Sequence, residues 1–129
     1  DKTQAVNANR CRIYINGADE TGGFNNQGTA SLYTSTSNLS FGKSQNNYFP
    51  VLGGKMDEVA IWADLQLSSG DATTLYNSGT PNDLNNNGLT PPTNWWRFEE
   101  GSGTTISDSI GSADGTLING TAFSSDVPT

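Results

Sequence analysis

Asn, Thr, Gly and Ser supply 59 of the 129 residues, 46% of the chain. Their short amide and hydroxyl side chains compete with the backbone for hydrogen bonds. They therefore favour tight turns, exposed strand positions and helix ends over helix interiors. A chain of this kind folds as short strands joined by close turns. Leu, Ile, Val and Phe make up only 19%, just under the ~20% where disorder becomes the competing reading. Disorder also needs high net charge, and −7 over 129 residues is modest, while three Trp and four Tyr add bulk. The composition describes one small, polar, folded domain.

The same residues exclude many functions. No run of about 18 apolar residues exists, so no membrane span is expected. The acidic balance and lack of a basic patch argue against nucleic acid. Without His there is no His-based triad, His-ligated zinc or His general base. A lone Cys11 forms neither an internal disulfide nor a multi-cysteine metal site. Residue 1 is Asp and no signal-peptide pattern follows. The chain reads as a processed piece or as the ordered part of something longer.

Arg10-Cys-Arg-Ile-Tyr-Ile-Asn16 alternates, with Cys11, Ile13 and Ile15 on one side and Arg12 and Tyr14 on the other. That is a half-buried strand, with Cys11 as a buried, inert thiol, and Asn16-Gly17 closes a hairpin. Residues 31–34 read as a weak strand and 39–43 as a better one, with Leu39 and Phe41 on a shared face. Residues 55–62 read as a central strand covered on both sides, Val59 and Ile61 opposite Met56, Ala60 and Trp62. Residues 67–77 are the one helix candidate: Ser68 or Ser69 caps it, Asp71 suits the first turn, and Gly79 before Pro81 ends it. Residues 94–99 read as another strand, and 116–118 with 121–123 as a hairpin about Asn119-Gly120. Short strands with frequent turn signals predict an all-β sandwich.

Three of these elements resemble a known family. Ile13-Tyr14-Ile15-Asn16-Gly17 is similar to the "lYvNG" strand and turn of laminin-G-like, concanavalin-A-like jelly rolls. Gly54-Lys-Met-Asp-Glu-Val-Ala-Ile-Trp62 is similar to their "G-x-ϕ-D-E-V-ϕ-ϕ-[WY]" strand, where ϕ is apolar, and residues 67–76 resemble the short helix that follows. Trp95-Trp96-Arg97-Phe98, Gly101-Ser-Gly103, Asp108, Gly115-Thr-Leu117 and Asn119-Gly120 resemble the segment that usually opens such a domain. Here that segment comes after the helix, either as a second copy cut short or, the favoured reading, as closing strands returning to the sandwich. The tail, with Asp126-Val-Pro128, resembles that of members on marine phage virions.

The resemblance implies an antiparallel β-sandwich jelly roll with one short helix near 68–77. Residues 1–129 form a single domain, with a polar loop at 81–93 and closing strands over 94–129. The strands that normally precede "lYvNG" are missing, so a partial or permuted domain is expected. Its open edges would be covered by a larger chain or assembly.

Asp57-Glu58 and Glu99-Glu100 are the conspicuous carboxylates. Glycosidases of this fold need two carboxyls about 5 Å apart in one cleft, and adjacent strand residues point to opposite faces. Asp83, Asn85 and Asn87 before Gly88 match the first half of a calcium loop, D-x-N-x-N-G. The twelfth position is Asn94 rather than a bidentate Glu, so the competing reading is a plain Asn-rich turn. Tyr14, Trp62 and Trp95 could stack on sugar, with Asn16 and Arg97 as polar neighbours, against the commoner core role of strand aromatics. Tyr48-Phe49-Pro50 could instead touch a protein. Asn38-Leu-Ser40 and Asn119-Gly-Thr121 fit the N-glycosylation pattern, which chance matching also explains.

The expectation is a non-catalytic, carbohydrate-binding adhesion module of an extracellular, cell-surface or virion protein, with glycan or neighbouring subunits as partners. The alternatives are a virion or shell decoration domain with purely protein contacts and, behind it, a glycoside hydrolase of the same fold.

Overall fold

The computed structural model describes residues 11–22, 37–42 and 52–126. They form three antiparallel two-stranded pairs and one short helix. Strands β1 (Tyr14–Ile15) and β2 (Ala18–Asp19) make a hairpin. Asn16 and Gly17 both take positive φ, 51° and 76°, as a two-residue turn matching the strand twist requires. Glu20 N–H donates to Ile13 O at 2.9 Å and Arg12 pairs with Asp19 at 2.7 Å.

The face expected to turn inward does not. Cys11 is exposed, and Ile13 and Ile15 are 44% and 57% exposed. The hairpin docks through its turn instead: a Cβ at Gly17 would lie 3.2 Å from Tyr76 Cβ and 3.3 Å from Thr73 Cα.

β3 (Val59–Ile61) pairs with β4 (Asn94–Trp96), Val59 opposite Trp96 and Ile61 opposite Asn94. Among the described residues the central position falls to β4 rather than β3. On its other side Trp96 bridges Asp108, and Ser109 N–H donates to Trp95 O at 2.7 Å. Trp95 and Trp96 are both buried, with Leu84 and Ile106, and Phe41 meets Trp96 edge to face at 5.4 Å. The strands are shorter than expected because Glu58 and Phe98, which flank the pair, take left-handed φ of 51° and 58° and end the ladder.

The helix α1 spans Ser69–Tyr76. Ser68 caps it, accepting from Asp71 N–H at 3.2 Å while Asp71 accepts from Ser68 N–H at 2.7 Å, a reciprocal capping box. The helix stops at Asn77, φ 44°, not at Gly79; Asn is the side chain that best tolerates this conformation after Gly. A 3₁₀ turn, Asn77–Gly79, follows.

β5 (Thr105–Ile106) pairs with β6 (Gly115–Thr116). Asn119 and Gly120 form the expected turn, with φ 57° and 80°, but its flanks at 117–118 and 121–123 are not strands; Thr116 pairs with β5 instead. Residues 39–42 are irregular, and the proposed strand at 31–34 and the Tyr48-Phe49-Pro50 loop lie outside the described residues. No helix among the described residues is long and apolar enough to cross a membrane.

Candidate functional site

An open groove of about 610 Å³ lies where the β1–β2 turn meets the end of α1. Asn16, Thr73, Tyr76, Asn77, Asn82 and Asn87 line it, and no charged side chain among the described residues does. Its walls are held by local bonds. Asn82 Nδ2 donates to Thr74 O at 2.8 Å and Asn77 Nδ2 to Thr80 O at 3.3 Å. Both amides therefore keep Oδ1 as an acceptor. Tyr76 is 39% exposed, with Gly17 against one part of its ring and Gly79 against another.

Asn87 differs from the rest. Its Oδ1 accepts the Leu89 N–H at 3.0 Å, which turns Nδ2 the other way. That Nδ2 is shielded from solvent and has no hydrogen-bond partner among the described residues. A buried donor left unpaired costs about 1–3 kcal/mol, and a donor that water does not reach is not open to a ligand hydroxyl either.

The expected site residues divide. Asn16, from the sugar set, and Asn87, from the calcium set, come together in this groove. Tyr14 is half-buried on β1. Trp62 is half-buried, its Nε1 donating to Thr90 O at 2.7 Å. Trp95 is only 3% exposed, with the Arg97 guanidinium 4.9 Å over its ring, so it packs in the core rather than offering an open stacking face. Thr73, Tyr76, Asn77 and Asn82 carried no sequence signal: in a chain this rich in Asn and Thr, only the docking of residue 17 on residues 73 and 76 singles them out.

Glu58 gathers a second cluster. Its Oε2 accepts from Trp95 Nε1 at 2.6 Å and its Oε1 from Arg97 Nε at 3.5 Å. Partial burial pushes the Glu58 carboxyl above its ordinary range, against the lowering effect of Trp95 and Arg97. Arg97 also bonds Glu99 at 2.5 Å. Asp57 Oδ1 accepts the Glu58 N–H at 3.0 Å and anchors the turn into β3.

The calcium loop is folded upon itself. Asp83 Oδ1 accepts Asn85 N–H at 3.0 Å, Asp83 O accepts Asn86 N–H at 2.9 Å, and Asn87 Oδ1 holds Leu89. With one carboxylate, and Asn94 where a bidentate Glu would complete the set, these donors fall short of the charge of a calcium cage. No group of three acidic, His or Cys side chains suited to a metal occurs among the described residues.

Against known proteins, no family, curated protein or solved structure matches the chain.

Proposed function

We propose that this chain is a non-catalytic, carbohydrate-binding adhesion module with a concanavalin-A-like jelly-roll fold, belonging to an extracellular, cell-surface or virion protein. The observation that carries the reading is the groove itself, lined among the described residues by uncharged amides and hydroxyls around the exposed Tyr76 ring. A sugar hydroxyl both donates and accepts. It therefore suits the Asn77 and Asn82 acceptors, while a sugar C–H face packs on the exposed Tyr76 ring. Among the described residues lining the groove there is no carboxylate to act as acid or nucleophile, which favours binding over hydrolysis.

A glycan array of neutral and acidic sugars tests this. Neutral glycans should bind, Tyr76→Ala should weaken them by about tenfold, equivalent to ~1.4 kcal/mol, and a calcium chelator should change nothing. Binding that survives Tyr76→Ala unchanged, or that vanishes on chelation, counts against the groove. The decoration reading draws on the exposed Ile13, Ile15 and Ile118. A large regular oligomer in native mass spectrometry, with no sugar bound on the array, would favour it.

A further inference from the structure

The groove has a neighbour. A second cavity, of about 280 Å³, is lined by Glu58, Asp83, Trp95 and Arg97, and it shares Asn82 with the first. The shared wall is fixed, because Asn82 Nδ2 is bonded to Thr74 O in the last turn of α1 at 2.8 Å. The two cavities differ in chemistry. Among the described residues the first is lined by uncharged groups, amides and hydroxyls beside Ala18 and the Tyr76 ring, whereas the second holds two carboxylates and one guanidinium.

That guanidinium already serves Glu58 and Glu99. Both Glu58 oxygens accept hydrogen bonds from Trp95 and Arg97. Asp83 is exposed, with Oδ1 on the Asn85 N–H and Oδ2 without a partner among the described residues. The second cavity therefore offers a charged acceptor to hydroxyl donors, a strong class of hydrogen bond. Among the described residues it offers no unpaired cation to an anion.

We propose that the two cavities are adjacent subsites for one oligosaccharide: a neutral unit in the Asn-lined groove, and a second hydroxyl-rich, non-anionic unit against Asp83. This rests on the glycan-binding reading and narrows its ligand to chains of two or more units without an acidic sugar at the second position.

The test is an NMR titration of the ¹⁵N-labelled full chain with glucose, cellobiose and maltose, with N-acetylglucosamine and di-N-acetylchitobiose, and with digalacturonic acid. For at least one neutral pair the dimer should bind about tenfold tighter than its monomer. Both should shift the amides of Asn16, Tyr76 and Asn87, and only the dimer those of Asp83 and Arg97. Asp83→Asn should abolish the gain and leave monomer binding intact. This variant keeps an oxygen to accept the Asn85 N–H, so the loop is retained. Equal affinity for monomer and dimer, a gain that survives Asp83→Asn, or preferred binding of digalacturonic acid would each overturn the second subsite while leaving a glycan module standing. If no neutral sugar binds at all, the glycan reading itself fails, and the second subsite with it.

Discussion

Asp108 holds together more of the described backbone than any apolar residue does. Its Oδ1 accepts the N–H groups of Trp95, Ile110 and Gly111 at 3.0, 3.2 and 2.9 Å. Its Oδ2 accepts Asn94 Nδ2 at 2.5 Å and Ala113 N–H at 3.1 Å. Partial burial raises this carboxyl, but the Asn94 amide and the Trp95, Gly111 and Ala113 N–H groups outweigh it and hold the group far below the ordinary carboxylate range. Gly111 must be glycine for a spatial reason. A Cβ there would lie 2.5 Å from Asp108 Oδ2, 2.6 Å from Asn94 Nδ2 and 3.0 Å from Thr93 O. Gly111→Ala should therefore cost about 1–3 kcal/mol in urea unfolding. Asp108→Asn should also destabilise, because its amide would set one donor against Asn94 Nδ2 and Ala113 N–H. An unchanged urea midpoint in either variant would refute this account. In the sequence Asp108 was visible only as part of a familial spacing; its reason, five donors converging from both sides of a turn, is a property of the folded loop.

At the level of elements, the groove depends on how the β1–β2 turn meets α1. Ser68→Ala removes one half of the capping box and should cost about 1 kcal/mol, with sugar binding largely kept, since Ser68 does not line the groove. Gly17→Ala should do more. It forces a side chain into a backbone at φ +76° and against Tyr76 at 3.2 Å, so the hairpin should undock and carry Asn16 with it. We expect lower stability together with weakened glycan binding; full binding in that variant would show that the docked turn does not shape the site. Local elements were the legible ones. The Ser68–Asp71 capping signal and the two Asn-Gly turns are written within a few residues and form where expected. The pairing of β5 with β6 was not legible, because Thr105, Ile106, Gly115 and Thr116 alternate too briefly to give a period. The inward face of β1 was misread for a related reason: alternation says which side chains share a face, not whether anything covers it. The groove joins residue 16 to residues 73–87, a contact no local pattern announces.

For the molecule as a whole, the shifted carboxyls act in two directions across pH. Glu58 is raised by burial, so the folded chain takes up its proton more readily than the unfolded one. Its stabilising contribution is complete below the unfolded Glu range, near pH 4, and fades as pH rises through the raised folded value. Asp108 is depressed, as are Asp71 by the Ser68 N–H and hydroxyl and Asp19 by the Thr21 hydroxyl and N–H. Glu100 joins them, its Ser107 N–H bond prevailing over partial burial. These four stabilise above the ordinary carboxylate range and lose that contribution as pH falls through their lowered values. A net charge of −7 adds self-repulsion at neutral pH that relaxes on mild acidification. The three effects together place maximum stability in the mildly acidic range, below neutral and above about pH 4. Thermal unfolding followed from pH 8 to pH 3 should show Tm rising slightly on the way down, then falling steeply. Glu58→Gln separates the causes: it should shrink the rise between neutral and mildly acidic pH and leave the acid limb unchanged, because that limb belongs to Asp108 and its companions. A Tm that only falls from neutral pH downward, or a Glu58→Gln curve parallel to the parent throughout, would show that Glu58 does not set the neutral side of this balance.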